Sequence, residues 1–410
     1  MNRKERQRHE FALLITTGIY HTLDQWTRVL LPFAQWSLQP SPNLDDLAYL
    51  TAVSTLFTFI GALFMAQFIE VFGLRVSAII STCITALYQF IVCQTHNYYG
   101  YLIIQSLLMF NNMQMIIDAA VLNLEGEDGD DKKRSRLITK ILIPQGIGYA
   151  LGPYIALQVV FFMTPSLETS QLLCSLLSTG TLLPVIWKYF PDHKNSSKSL
   201  APDFSGYSQL LSNERTRWCV LLLMLVSGPY AAYDNIMRIS LAATAIRNPG
   251  SLHNLFIIIG LTTMLVNMLI LPKLQAMLSP QVLLTVAFSL LTVSYVYLAI
   301  FRAYAFLLIG MPIQVIGVTI ALGEISSQLM GTIGKGGAGK AAALIRMSQL
   351  SAGFLVPFLT GTTFHTQDST LLCAFCAFIS ASAIPIVRQY GTFMKFNSAS
   401  LPGLFVGKTE

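Results

Sequence analysis

YHTLDQWTR, residues 20–28, recurs as YAAYDNIMR at residues 230–238. In both copies a tyrosine, an aspartate and an arginine stand four residues apart: Tyr20, Asp24 and Arg28, then Tyr230, Asp234 and Arg238. The first copy is set between the apolar stretches FALLITTGI and VLLPF. The same physical problem is therefore posed twice, of ionised groups inside segments of hydrocarbon character. A motif repeated about half a chain length apart points to a duplicated unit.

The composition fixes the surroundings of both copies. Of 410 residues, 53% are hydrophobic and 11% charged, and the mean hydropathy is +0.58. A soluble chain carries about 25% charged residues, so this one lacks the polar groups to cover a surface in water. Crossing the hydrocarbon takes roughly 20 apolar residues as helix. Runs of that kind lie near 11–36, 47–69, 76–95, 99–124, 138–163, 170–189, 218–243, 253–272, 281–302, 303–329, 341–363 and 369–390. Buried in lipid, each must satisfy its own backbone as a helix, and none shows the alternating polarity of a barrel strand. The expectation is an all-α integral membrane protein of twelve transmembrane helices.

An even number of spans puts both termini on one side, and Lys and Arg say which. The cluster Arg3, Lys4, Arg6 and Arg8, then Arg75, the 132–136 run, the basic residues of 188–217, Lys273, Lys335, Lys340 and Arg346 fall on one face; only Arg247 and Arg302 fall on the other. Both termini are expected in the cytoplasm, in a cell or vesicular membrane. The net charge of +6 is then the positive-inside bias, aided by anionic lipid, and calls for no nucleic-acid partner. The six cysteines all fall in spans and read as small packing residues. Neither metal nor cofactor is expected: no His/Cys cluster accompanies the pair Cys373 and Cys376, and GKGGAGKA (334–341) lacks both the hydroxyl and the preceding strand of a phosphate loop.

Two further echoes accompany the opening one. QGIGYALGP (145–153) and QLSAGFLVP (349–357) share a glutamine and, eight positions on, a proline, while Asp118 and Glu324 each sit late in a span. The chain divides into a six-helix half at 1–189, a polar linker at 190–217, and a second half at 218–410. Two such bundles related by an axis along the membrane normal place a binding site near the midplane between them.

With these residues the chain resembles a major facilitator superfamily transporter over nearly its whole length. The signature after the second span is partly present in AQFIEVFGLR, where Glu70, Gly73 and Arg75 match and Ala66, Val71 and Leu74 depart. The antiporter-branch pattern on the fifth span is matched by Gly148, Gly152 and Pro153. Within the superfamily the pattern is most similar to the drug/proton antiporters and the organic-cation-transporter-like group of solute carrier 22 member 18. The resemblance implies a cytoplasmic latch in which Arg75 meets Asp118, Glu70 lies at the start of the eleventh span, and Glu324 belongs to the same belt.

Two readings of the intramembrane charges stand side by side. A spacing of four puts Asp24 over Arg28 and Asp234 over Arg238 on one helix face, so each pair can be a structural clamp. Alternatively the pairs face a hydrated cavity and exchange partners as the halves rock; a carboxylate carried into a drier site is neutralised by a proton. Tyr20 and Tyr230, one turn before each aspartate, add aromatic surface suited to an organic cation. The function expected is secondary active transport of a small organic solute by a monomer, through proton-coupled antiport of organic cations or amphipathic compounds. The alternatives are a transport-inactive receptor or scaffold on the same fold and a facilitator of a sugar or an organic anion. No nucleophile–base constellation suggests an enzyme.

Overall fold

A computed structural model describes residues 3–125, 131–163, 166–192, 204–245, 249–301, 303–332, 338–363 and 369–399, without the side chains of several helical stretches, 235–245 and 355–363 among them. Outside the described residues lie the first half of 334–341, the side chains of the 132–136 run, and the side chain of Arg238.

The described chain is almost wholly helical. Its first part comprises α1 (Arg3–Trp36), α2 (Leu44–Phe72), α3 (Leu74–Val92), α4 (Tyr98–Ile104), α5 (Met113–Glu125), α6 (Asp131–Gln158), α7 (Leu167–Leu177) and α8 (Leu183–Tyr189). The second comprises α9 (Phe204–Ser212), α10 (Glu214–Ala245), α11 (Pro249–Leu265), α12 (Leu271–Met277), α13 (Pro280–Ile300), α14 (Tyr304–Thr332), α15 (Ala338–Thr363) and α16 (Ser369–Ala399). Single turns of 3-10 helix (Gln105–Phe110) or π-helix (Ser178–Leu182, Val266–Ile270) join neighbouring pieces into longer rods.

Helix starts follow from local chemistry. Asn43 and Asp46 form a reciprocal capping box on α2. Ser166 caps α7, and Ser279 with Pro280 opens α13. Gly73 ends α2 and begins α3 with φ of 85°, a conformation that costs glycine least.

Among the described residues, eight helical stretches are long and apolar enough to cross a membrane: Asp45–Phe72, Leu74–Val92, Tyr98–Leu124, Leu167–Tyr189, Asn254–Met277, Pro280–Ile300, Tyr304–Met330 and Thr370–Gly391. The helices α1, α6, α10 and α15 are 34, 28, 32 and 26 residues long and carry the polar and charged positions singled out above. Large apolar side chains such as Phe11, Ile103, Leu176, Trp187 and Phe378 stand on the outside, while Thr16, Gln105, Gln171, Asn267 and Gln314 are buried. That inversion is what a hydrocarbon solvent selects.

The linker at 190–217 holds a helix of its own, α9, because Tyr207 is buried against the first part of the chain and gives that segment an anchored face. The basic run at 132–136 lies within α6, which begins at Asp131, where Lys and Arg favour helix.

The two parts meet along two seams. At one, α6 packs on α11: a Cβ on Gly146 would stand 2.7 Å from the Met264 amide nitrogen, and one on Gly260 would overlap Ala150. At the other, α2 packs on α15, with Gly339 beside the Ala66 carbonyl and Phe59 edge-on to Phe354 at 5.6 Å.

Candidate functional site: a polar hollow between the two parts

The rotation of α1 sets the site. Gly148 and Gly152, one turn apart on α6, let its backbone press on α1; a Cβ at Gly148 would lie 2.7 Å from His21 Cβ, and one at Gly152 would overlap the Thr22 carbonyl. Trp26 donates to Ser170 Oγ at 3.0 Å, fastening a second face of α1 to α7. With those faces occupied, Tyr20, Asp24 and Arg28 turn elsewhere. Tyr20 donates to Asn111 at 3.2 Å, and Arg28 Nε donates to Asp24 Oδ2 at 2.7 Å. The Asp24 side chain is 9% exposed and that of Arg28 46%. Arg28 sits in the middle of a packed helix, so that exposure means it faces a hollow.

The hollow has a volume of about 130 Å³, room for several waters. Around Asp24, Thr27, Arg28 and Gln35 of α1 stand Ser54, Thr55 and Thr58 of α2, Thr85, Tyr88 and Gln89 of α3, and Gln105 and Asn111 beyond α4. Leu31, Leu108 and Leu350 supply apolar wall. The second part of the chain contributes Arg346 and Leu350 of α15. The lining residues of α1 and α2 lie toward the end of the molecule away from the chain's N-terminus.

Arg346 is the charged wall residue of the hollow that the sequence reading missed. It was counted with the basic face, but α15 begins at Ala338, which places Arg346 about 12 Å along the helix axis. Its Nε is buried without a hydrogen-bond partner. The available signal was its position inside the apolar run 341–363.

The latch is arranged differently from what the resemblance implied. Arg75 does not meet Asp118. Its Nε and Nη2 donate to the Phe190 carbonyl at 3.1 and 2.9 Å, just beyond α8, and Nη1 lies 3.8 Å from Asp192. The negative end of a helix favours a cation there. Asp118 is too deep to join it, about 10 Å before the end of α5 at Glu125. Asp118 instead accepts from Gln114 at 2.9 Å, and the Gln114 oxygen lies 2.7 Å from His21 Nε2. With the amide's NH2 group committed to the carboxylate, its oxygen faces the imidazole, so His21 Nε2 carries the proton of that bond. Glu70 does lie at the start of α15, 4.0 Å from Lys340.

Glu324 forms the counterpart network in the second part. It accepts from Gln328 at 2.8 Å and from Gln275 at 3.2 Å, and Tyr390 donates to Gln328 at 2.7 Å. Tyr230 packs half-buried against the larger core cluster. Asp234 is half-buried on α10 and does not line the hollow. The structure thus brings Asp24 and Arg28 together with Arg346, and the exchange of Arg28 for Arg238 involves a side chain outside the described residues.

No family model and no curated protein matches this chain. Solved structures do. The human organic anion transporter MFSD10 (TETRAN) is 14% identical, with a TM-score of 0.77 covering 94% of this chain and 100% of that one. The nucleoside transporter NupG is 13% identical, with a TM-score of 0.67 covering 93% of this chain and 99% of that one. At such identities the likeness establishes the fold. The chain shares the fold of these two solved transporters, and its long apolar helices are those of a multi-pass membrane protein.

Proposed function

We propose that this protein is a secondary active transporter that carries a small organic solute by alternating access. The observation that carries the reading is the Asp24–Arg28 pair at the wall of a hollow of about 130 Å³, to which α15 of the other part contributes Arg346. Helices α1, α6, α10 and α15 complete the eight apolar stretches to twelve spans in two six-helix bundles, 1–189 and 218–410, joined by the 190–217 linker. The Lys and Arg asymmetry puts both termini in the cytoplasm. The hollow then lies toward the outer half of the membrane, and Glu70 with Lys340 closes the cytoplasmic end of one seam.

Proton-coupled antiport supplies the drive. Asp24 is held by Arg28 while water reaches the pair; separation of the two as the bundles rock would free the carboxylate to meet the coupling ion. Asp118 is a second proton acceptor, bonded to an amide and with no cation within 4.0 Å among the described residues. The organic-cation expectation rests on Tyr20, Tyr230 and the two aspartates; the charges on the cavity wall bear on it below. The test is flux of labelled organic cations, anions and neutral solutes into proteoliposomes, with and without a pH gradient. Transport that follows the gradient and loses it in Asp24→Asn supports the reading; absence of flux for every solute favours a receptor or scaffold on this fold.

A further inference from the structure

The hollow carries a surplus of positive charge. Three ionisable side chains of opposite sign line it, Asp24 against Arg28 and Arg346, with hydroxyls and amides between them. Asp24 is spent on Arg28 Nε. The terminal NH2 groups of Arg28 and the whole guanidinium of Arg346 have no hydrogen-bonded carboxylate among the described residues. Asp118 is turned to Gln114. A guanidinium at membrane depth is costly unless water or an anion meets it, and its planar fork of donors fits a carboxylate in particular. Leu31, Leu108 and Leu350 offer hydrocarbon in the same space.

We infer that the hollow binds a small organic anion, a monocarboxylate, with its charged end on the guanidinium of Arg346, which has no hydrogen-bonded carboxylate among the described residues, and its hydrocarbon against the leucines. This deepens the transport reading and rests on it. Arg28, already neutralised by Asp24, stands as the second cation of the wall. With Asp24 spent on Arg28, the lining residues offer an anion one further guanidinium and offer an organic cation no carboxylate that is not already bonded to an arginine.

The experiment uses the full chain purified in detergent and a series of probes: the straight-chain monocarboxylates from propionate to decanoate and benzoate, each beside its amide and its amine. Thermal unfolding reports binding, and counterflow in proteoliposomes reports transport. At least one carboxylate is expected to raise the unfolding temperature where its amide and amine do not. Arg346→Gln should weaken that carboxylate at least tenfold, and Arg346→Lys, which keeps the charge without the fork, should retain part of the binding. The lysine variant also serves if the glutamine variant does not fold. Stabilisation by the amines, no stabilisation by any carboxylate, or carboxylate binding indifferent to Arg346→Gln overturns the inference. If amines are carried, the anion assignment falls and transport stands; if carboxylates bind and nothing is carried, the site stands and transport falls.

Discussion

The contact that aims the site is the approach of α6 to α1, and Gly152→Ala perturbs it with a single methyl group. That methyl would overlap the Thr22 carbonyl and stand 2.9 Å from both Gln25 Cβ and the Trp26 amide nitrogen. Two of these three atoms are backbone, so no rotamer change relieves the clash. The helices must separate by most of an ångström, an overpacking strain of about 1–3 kcal/mol. Alanine's better helix propensity returns about 1 kcal/mol at either position, leaving a net loss of up to about 2 kcal/mol, and about 1–3 kcal/mol relative to a glycine replaced without a clash. Gly180→Ala is the matched control, because nothing lies within 4 Å of its added Cβ; it should be neutral or slightly stabilising. Thermal unfolding of both variants in one detergent gives the comparison. Because Asp24 and Arg28 ride on α1, Gly152→Ala should also lower solute affinity while Gly180→Ala does not. A Gly152→Ala protein as stable as its parent, or a Gly180→Ala protein equally damaged, would refute the packing that orients α1.

Other perturbations separate structural from functional roles. Asp24→Asn, Arg28→Gln and the double variant form a cycle whose stability coupling should be about 1 kcal/mol, well short of a dry pair, because Arg28 is 46% exposed; a coupling above about 3 kcal/mol would mark a buried structural clamp. Gln114→Leu strips the partner from both His21 and Asp118 and should cost about 2–4 kcal/mol in unfolding measurements; a neutral outcome would show that water replaces the amide. Lys340→Gln removes the ammonium 4.0 Å from Glu70 and should shift the equilibrium toward a state open at the basic end by roughly threefold, read as spin-label distances between the ends of α2 and α15. An unchanged distance distribution would remove Glu70 and Lys340 from the gate.

The membrane character was legible because hydrocarbon leaves a compositional mark in every span, and the repeat of Tyr, Asp and Arg marked α1 and α10 without any structure. The partner of Arg28 was legible too, since a spacing of four on a helix sets the geometry locally. What escaped were pairings made across the sequence. Arg75 lies beside Asp192 rather than Asp118 because α5 runs past Asp118 for two further turns, a depth that no local pattern encodes. Arg346 was misread because charge counting treats a residue near a helix start as loop; the register of α15 carries it into the cavity wall. Glycines were read as an α6 motif, but which helix they face, α1 for Gly148 and Gly152 and α11 for Gly146, depends on tertiary packing.

On the transport reading proposed above, alternating access requires some contacts to persist and others to break, and the two seams divide along that line. Where α6 meets α11, Gly146 and Gly260 bring backbone against backbone at mid-length of both helices. Contacts of that kind are short-ranged and are lost altogether by a separation of an ångström or two, so the seam tolerates pivoting better than opening. Where α2 meets α15, the middle is held by Phe59 against Phe354 and by Thr55 against Gly353, while the basic end is held by a Glu70–Lys340 pair at 4.0 Å. A loosely seated ion pair at a helix end contributes about 1 kcal/mol or less, small enough for a bound solute to overcome. The mid-length contacts of both seams therefore supply an axle, and the charged end of α2 and α15 supplies the part that yields. Thr55 belongs both to that axle and to the wall of the hollow, and Arg346 and Leu350 stand on α15 between the axle and Lys340, so a solute seated in the hollow would bear on the stretch of the seam that has to part.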